Sequence, residues 1–93
     1  MVKILVVEDD GNIRSTLSEY LRLAGYEITE CEDGQEAVSL YDQTTPDLVV
    51  LDIMLPSLSG LEVLKELRKR DSTLPVIMLT ALGDEEKQMN DYE

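Results

Sequence analysis

The chain has 93 residues and carries 20 Asp and Glu residues against 8 Lys and Arg residues, which gives a formal net charge of −12 at pH 7. That negative balance argues against binding of nucleic acid or of an anionic membrane surface by this chain, because both are recognised by positively charged surfaces. With no histidine and a single cysteine, Cys31, the sequence excludes an internal disulfide and a zinc site built from thiolates and imidazoles.

The length predicts one small domain spanning residues 1–93. No apolar run approaches the ~18 residues that a membrane-spanning helix needs. The first residues lead straight into an aliphatic run and show no cleavable signal pattern. Together with the low cysteine content, which is typical of reducing compartments, these features predict a cytoplasmic protein.

The first predicted element is a strand over residues 4–7, a continuous aliphatic run that ends at the acidic residues 8–10. A helix follows, because apolar residues recur at intervals of three and four. The residues of this stripe are Ile13, Leu17, Tyr20, Leu21 and Ala24. Asp10 suits the start of this helix, where negative charge is favourable, and Gly25 suits its C-terminal cap.

Residues 26–30 alternate between apolar and polar side chains, which predicts a second strand that is more exposed and lies at an edge of the sheet. Asp33 is a suitable N-cap for a second helix, and Glu36 follows three residues later, as in a capping box. The run Thr44-Thr45-Pro46 is expected to end that helix.

A third strand is predicted over residues 47–52, where four consecutive aliphatic residues lead to Asp52. Such a run is typical of a strand that is buried on both faces of a parallel sheet. A loop leads to a third helix at 60–69, and residues 76–79 predict a fourth strand that is again buried on both faces. Residues 83–86 have the character of a further helix start.

The order of the predicted elements is βαβαβαβ followed by a trailing helical segment. Alternation of strands and helices predicts an α/β fold in which a parallel sheet with right-handed crossovers carries helices on both faces. In such open sheets, ligands bind just outside the carboxyl ends of the strands. The residues that follow the buried strands are therefore the candidate functional residues.

Two of the buried strands end in carboxylates, Glu8 and Asp9 after the first and Asp52 at the end of the third. If these strands are neighbours, the three acids converge, and a set of carboxylates without histidine or cysteine favours Mg²⁺ or Mn²⁺. A carboxylate beside such an ion can act as a nucleophile toward phosphorus, and Thr80, after the fourth strand, can donate a hydrogen bond to a phosphoryl oxygen. The alternative is that these acids are merely solvated residues at strand ends.

Four separated motifs resemble the receiver domains of two-component response regulators, and their sequence is closest to the OmpR/PhoB-type branch. They are VVEDD at 6–10, PDLVVLDIMLP at 46–56, GLEV at 60–63 and PVIMLTA at 75–81. The resemblance implies a flavodoxin-like, doubly wound parallel sheet. It also implies a module that receives a phosphoryl group from a sensor histidine kinase or from a small phosphodonor and that is not an independent enzyme.

Residue by residue, the resemblance implies that Asp52 is the phosphoacceptor. Glu8 and Asp9 would bind Mg²⁺ together with Asp52 and the backbone carbonyl of Met54. Thr80 would be the switch hydroxyl that moves toward the phosphoryl group.

The sequence departs from this family pattern after the fourth strand. It contains no fifth strand ending in Lys-Pro and no fifth helix, so that it resembles a receiver truncated after the fourth strand and a trailing helix. The missing lysine predicts slow phosphorylation or a short-lived product. In the strand order that the resemblance implies, 2-1-3-4-5, the fourth strand becomes an exposed edge, which predicts self-association through that edge or through the uncovered sheet face.

Two other functions fit parts of the same sequence. The chain can be a non-phosphorylatable fragment of a receiver fold whose role is assembly. It can also be a Mg²⁺-dependent phosphohydrolase with an aspartate nucleophile, but such enzymes typically need a second aspartate two residues after the first, and position 54 is Met. Labelling with a phosphodonor distinguishes the phosphoacceptor from the assembly fragment.

Overall fold

The computed structural model describes residues 1–79, which form four strands and three helices in the predicted alternating order. The elements are β1 (Lys3–Val7), α1 (Gly11–Leu23), β2 (Glu27–Cys31), α2 (Gly34–Thr44), β3 (Leu48–Asp52), α3 (Gly60–Arg70) and β4 (Val76–Leu79). The trailing helix predicted at 83–86 lies outside the described residues. No helix within the described part of the chain is both long and apolar enough to cross a bilayer.

The strands form one parallel sheet in the order β2-β1-β3-β4. This arrangement confirms the predicted α/β fold and places the two most buried strands, β1 and β3, side by side at the centre. Their register pairs Val7 with Leu51, so both strands end at the same edge of the sheet.

Two hydrophobic clusters lie on opposite faces of the sheet. Leu5, Val49 and Leu51 pack on the face that α2 and α3 cover, whereas Val6 and Val50 pack on the face that α1 covers. Because β1 and β3 contribute to both clusters, their side chains are buried on both faces, as their continuous aliphatic runs predict.

The predicted helix ends are largely confirmed. Asp10 caps α1, and its Oδ1 accepts hydrogen bonds from the backbone N–H groups of Asn12 and Ile13. Asp33 caps α2 in the same way, through the N–H groups of Gln35 and Glu36. Each cap satisfies two donors that have no partner within the first turn of the helix.

The prediction that β4 is buried on both faces is wrong, because Ile77 is 51% exposed. In the apolar stripe of α1, Leu17 and Leu21 pack against the sheet, but Ile13 and Tyr20 are 50% and 69% exposed. The reason is the position of β4, which within residues 1–79 pairs with β3 alone. Among residues 1–79, nothing therefore covers all of the α1 face of the sheet beside β4.

Ser18 is fully buried in α1, and its hydroxyl has no hydrogen-bond partner among the described residues. We expect Ser18→Ala to raise the free energy of unfolding by about 1–2 kcal/mol, because it removes an unpaired buried hydroxyl and improves helix propensity. Urea unfolding followed by circular dichroism measures the change. Ser15→Ala, at an exposed position of the same helix, should gain only about 0.5 kcal/mol, and a loss of stability in Ser18→Ala would contradict the prediction.

Candidate functional site

Three acidic side chains meet at the carboxyl edge of the sheet. Glu8 and Asp9 directly follow β1, and Asp52 is the last residue of the adjacent strand β3. One carboxylate oxygen from each of the three residues lies within 4.8 Å of the others. The structure therefore brings together the three side chains that the sequence predicts to converge.

Burial makes it costly for this cluster of carboxyl groups to carry negative charge. The side chains of Glu8 and Asp52 are buried, with residue exposures of 5% and 7%, whereas Asp9 is exposed. Burial raises the pKa of the Glu8 carboxyl to about 8, and a hydrogen bond to Asp52 and the charges of Asp52 and Asp9 act in the same direction. Without a bound cation, these causes favour the protonated form of the Glu8 carboxyl.

The chemistry of the donor set fits a hard divalent cation. All three side chains supply oxygen, and Glu8 Oε2 is buried without a hydrogen-bond partner among the described residues. A buried polar atom without a partner is costly, and a cation beside it would remove that cost and the repulsion between the carboxylates. Glu8, Asp9 and Asp52 are the side chains that would hold Mg²⁺.

The backbone around Asp52 is held closely in place. Asp52 Oδ1 accepts a hydrogen bond from the Met54 N–H at 3.2 Å, and the Ile53 N–H donates to the carbonyl of Leu79 in the neighbouring strand. Gly60, the first residue of α3, lies so close that a Cβ atom there would be 2.1 Å from the Asp52 carbonyl oxygen. The start of α3 thus packs directly on the backbone that carries the candidate nucleophile.

Arg14, on α1, supports Glu8 from outside the acidic cluster. Its Nη1 donates to the backbone carbonyl of Glu8 at 2.8 Å, and its Nε lies 3.4 Å from Glu30 Oε1 at the neighbouring strand β2. Sequence reasoning alone does not identify this bridge between α1, β1 and β2, because it depends on how the helix packs against two strands of the sheet. Arg14 fixes the backbone from which the Glu8 side chain projects.

The predicted roles of two further residues, Thr80 and Met54, stay predictions. Thr80, the predicted switch hydroxyl, lies outside the described residues, although the preceding Leu79 is in register with Asp52. The Met54 N–H contacts Asp52, while the role of the Met54 carbonyl as a metal ligand stays a prediction.

The chain matches the response regulator receiver domain family over residues 4–92. It is 50% identical over 82 residues to the probable transcriptional regulator ycf27 of Guillardia theta, covering 88% of this chain and 32% of that protein. It is 44% identical over 92 residues to the regulatory protein VanRB of Enterococcus faecalis, covering 99% of this chain and 41% of that protein. The non-phosphorylated HemR receiver domain from Leptospira biflexa superposes with a TM-score of 0.82 at 33% identity, covering 99% of this chain and 74% of that one.

The chain thus spans less than half of the length of these two regulators, 32% and 41%. The family match nevertheless extends over nearly the whole of the present chain, and it agrees with the parallel sheet order and with the acidic cluster at the strand ends. These findings confirm the resemblance noted in the sequence: the chain belongs to the response regulator receiver domains of two-component signalling.

Proposed function

We propose that the chain is a Mg²⁺-dependent phosphoacceptor module and that Asp52 is the residue phosphorylated. The observation that carries this proposal is the cluster of Glu8, Asp9 and Asp52, with carboxylate oxygens within 4.8 Å of one another. The phosphoryl group would come from a sensor histidine kinase or from a small phosphodonor in the cytoplasm. A net charge of −12 opposes binding of nucleic acid by this chain.

The proposed reaction is a transfer of one phosphoryl group. A carboxylate oxygen of Asp52 attacks phosphorus and forms an acyl phosphate, while the bond between phosphorus and the donor atom breaks and its electron pair leaves with the donor. Bound Mg²⁺ would offset the negative charge on the phosphoryl oxygens. The Met54 N–H orients the Asp52 carboxylate by binding Oδ1, which leaves Oδ2 as the candidate attacking atom.

Labelling with acetyl phosphate and Mg²⁺, followed by intact mass and peptide mapping, tests this function. We expect a single added phosphoryl group on the peptide that contains Asp52, no label in Asp52→Asn and none in the presence of a chelator. Absence of label in the wild-type protein, under conditions in which it binds Mg²⁺, would favour the assembly role instead.

We further propose that phosphorylation of these 93 residues is slow or that its product is short-lived. The sequence has one lysine after Leu79, Lys87, and it contains no Lys-Pro pair. A positive charge paired with the phosphoryl group would therefore be missing from the position that the family pattern gives it. Rapid labelling that persists after removal of the donor would overturn this part of the proposal.

The affinity for Mg²⁺ should depend on pH because the ion competes with the proton on Glu8. The pKa of Glu8 is raised to about 8, so below that pH the ion must displace a proton, and the affinity should rise by up to about tenfold per pH unit. Above pH 8 the affinity should level off. Titrations with Mg²⁺ followed by NMR between pH 6 and pH 9 measure this dependence, Glu8→Gln should abolish it, and a flat profile in the wild-type protein would contradict it.

A second candidate function is self-association, favoured by the apolar surface that the described part of the chain leaves open beside β4. A groove of about 480 Å³ lies there, which we call the α1–β4 groove; its lining residues are Asn12, Ile13, Thr16, Leu17, Tyr20 and Leu79. Ile77 shares this sheet face, because its partner in register, Val50, packs in the cluster beneath α1. We propose that a second copy of the chain covers this face or pairs with the edge of β4.

Association should strengthen with salt, because two copies that each carry a net charge of −12 repel one another at low ionic strength. We expect a dimer in light scattering coupled to size-exclusion chromatography, with a larger dimer fraction at 0.5 M NaCl than at 0.05 M. Ile77→Lys should return the protein to a monomer, whereas Leu61→Lys, at an exposed position of α3, should not. A monomer at high protein and salt concentrations would refute this proposal.

A further inference from the structure

The loop between β3 and α3 contains a strained turn centred on Ser57. Ser57 has a φ of +63°, and the Leu58 N–H donates to the Pro56 carbonyl at 2.7 Å. This hydrogen bond between residues two apart, with a positive φ between them, is the mark of the rarer and less stable form of the γ-turn. A residue other than glycine holds such a conformation only where its surroundings enforce it.

The contacts of the Ser57 side chain show what holds the turn in this conformation. Its hydroxyl donates to Asp33 Oδ1 at 2.9 Å, across a separation of 24 residues in sequence. The same oxygen accepts the N–H groups of Gln35 and Glu36, at 2.7 and 3.1 Å, and so caps α2. The hydrogen bonds from Glu36 and Ser57 hold the pKa of Asp33 below its usual value, so that the acceptor remains a carboxylate.

The start of α2 also presses directly on this turn. A Cβ atom on Gly34 would lie 2.0 Å from the Leu58 carbonyl oxygen, so only glycine permits this approach. The side chain of Leu58 packs against the cluster formed by β1, β3, α2 and α3. Asp33 and Gly34 therefore hold the turn from one side, and Leu58 anchors it from below.

This turn lies within the short segment that follows Asp52, residues 54–60. The segment begins with Met54, whose N–H binds Asp52 Oδ1 at 3.2 Å, and it closes with the Gly60 N–H donating to the Ile53 carbonyl at 2.8 Å. A change in the turn at Ser57 has only two residues on either side in which to relax before it meets Met54 or Gly60. The backbone near Asp52 is thus coupled to the start of α2 through the hydrogen bond between Ser57 and Asp33 and through the close approach of Gly34 to Leu58.

We propose that Asp33 and Ser57 are positioning residues: their hydrogen bond holds the loop after β3 in the strained turn and so fixes the Met54 backbone beside Asp52. The inference rests on the proposed function of Asp52 for its consequence in Mg²⁺ binding and phosphorylation. The geometry of the loop itself can be measured without either ligand.

Three variants separate the hydrogen bond from the strain and from the helix cap. Ser57→Ala removes the hydroxyl and keeps the cost of a positive φ. Ser57→Gly removes both the hydroxyl and the conformational cost of the positive φ, because glycine adopts positive φ readily. Asp33→Asn keeps an oxygen acceptor for both the cap and Ser57, and Ser72→Ala, at an exposed turn position before β4, is the matched control.

The first measurement uses the protein without Mg²⁺. Amide hydrogen exchange and chemical shifts should change at Met54 and Leu58 in Ser57→Ala, and should stay near wild type in Asp33→Asn and Ser72→Ala. Unchanged amides at both positions in Ser57→Ala would refute the inference, whatever the protein does with Mg²⁺.

The second measurement is the dissociation constant for Mg²⁺, followed by NMR, together with the rate of labelling by acetyl phosphate. Ser57→Ala should weaken Mg²⁺ binding by about tenfold, at the lower end of the effect of residues that orient metal ligands. Asp33→Asn should restore most of the affinity that Asp33→Ala loses, and Ser57→Ala should cost nothing further in the Asp33→Ala background. If wild type binds no Mg²⁺, the proposed function fails while the amide measurement still decides the role of the hydrogen bond; equal affinities of Ser57→Ala and wild type would overturn the positioning role.

Discussion

Asp52→Asn is expected to be more stable than the wild-type protein in the absence of Mg²⁺, even though it destroys the candidate site. Folded Glu8 has a pKa of about 8 against an ordinary value of 4.5, so between these pH values the folded state binds a proton that the unfolded state releases. Stability therefore falls as pH rises through this window, by at most about 1.4 kcal/mol per pH unit. An asparagine at position 52 removes the charge that contributes to this shift.

The burial of Glu8, which is the largest cause of the raised pKa, remains in Asp52→Asn. Only part of the penalty is thus relieved, and we expect a gain of about 0.5–1 kcal/mol at pH 7.5, because a fall of roughly one unit in the Glu8 pKa counts only in part at a pH just below 8. Urea unfolding at pH 5.0 and pH 7.5 measures it, and the gain should be larger at the higher pH. A variant that is less stable than wild type at pH 7.5 would show that the carboxylates do not oppose one another.

Addition of Mg²⁺ should reverse this order and make the wild-type protein more stable than Asp52→Asn. An ion at one hundred times its dissociation constant stabilises the wild-type protein by about 2.7 kcal/mol, and most of this gain should be lost in Asp52→Asn. Asp47→Asn is the matched control, because Asp47 precedes β3 whereas Asp52 ends it, and an asparagine keeps an acceptor for the Lys3 N–H. Equal stabilisation of wild type and Asp52→Asn by Mg²⁺ would exclude Asp52 as a ligand.

The sequence predicts the order of the elements and the convergence of the acids for one physical reason. Strands that are buried on both faces must be continuously apolar, and parallel strands must end at a common edge, so Glu8 and Asp52 are placed by simple rules. The register of Val7 with Leu51 then follows from the fold. Short-range chemistry likewise predicts the cap at Asp33 and an acid at the start of α1 at Asp10, because each acts within three residues of its own position.

What the sequence does not predict depends on contacts between distant residues. The exposure of Ile77 follows from the position of β4 relative to α1, and local hydrophobicity carries no information on it. The hydrogen bond between Ser57 and Asp33 joins two loops that meet only when α2 and α3 pack on the same sheet face. The raised pKa of Glu8 is of the same kind, since its main cause is burial by the assembled sheet and helices.

Gly60→Ala is expected to cause the largest loss of stability of the substitutions considered. The added Cβ atom would lie 2.1 Å from the Asp52 carbonyl oxygen and 2.6 Å from Ile53 Cα, and both are backbone atoms that cannot rotate away. Relief requires α3 to move from the sheet, which opens the packing of Val63 and Leu67 in the core. We expect a loss of about 3 kcal/mol or more, a large part of the total for a small domain.

Gly11→Ala provides the control, because Gly11 begins α1 as Gly60 begins α3, yet a Cβ atom there would meet only the Arg14 side chain at 3.8 Å. Alanine at a helical position with free space should stabilise slightly, by about 0.5–1 kcal/mol. Urea unfolding of both variants separates the effect of close packing from that of helix propensity. Because the displaced atoms belong to the backbone of Asp52 and Ile53, Gly60→Ala should also weaken Mg²⁺ binding at temperatures where it remains folded. Equal stability of the two variants would mean that α3 does not approach the end of β3 as closely as the site requires.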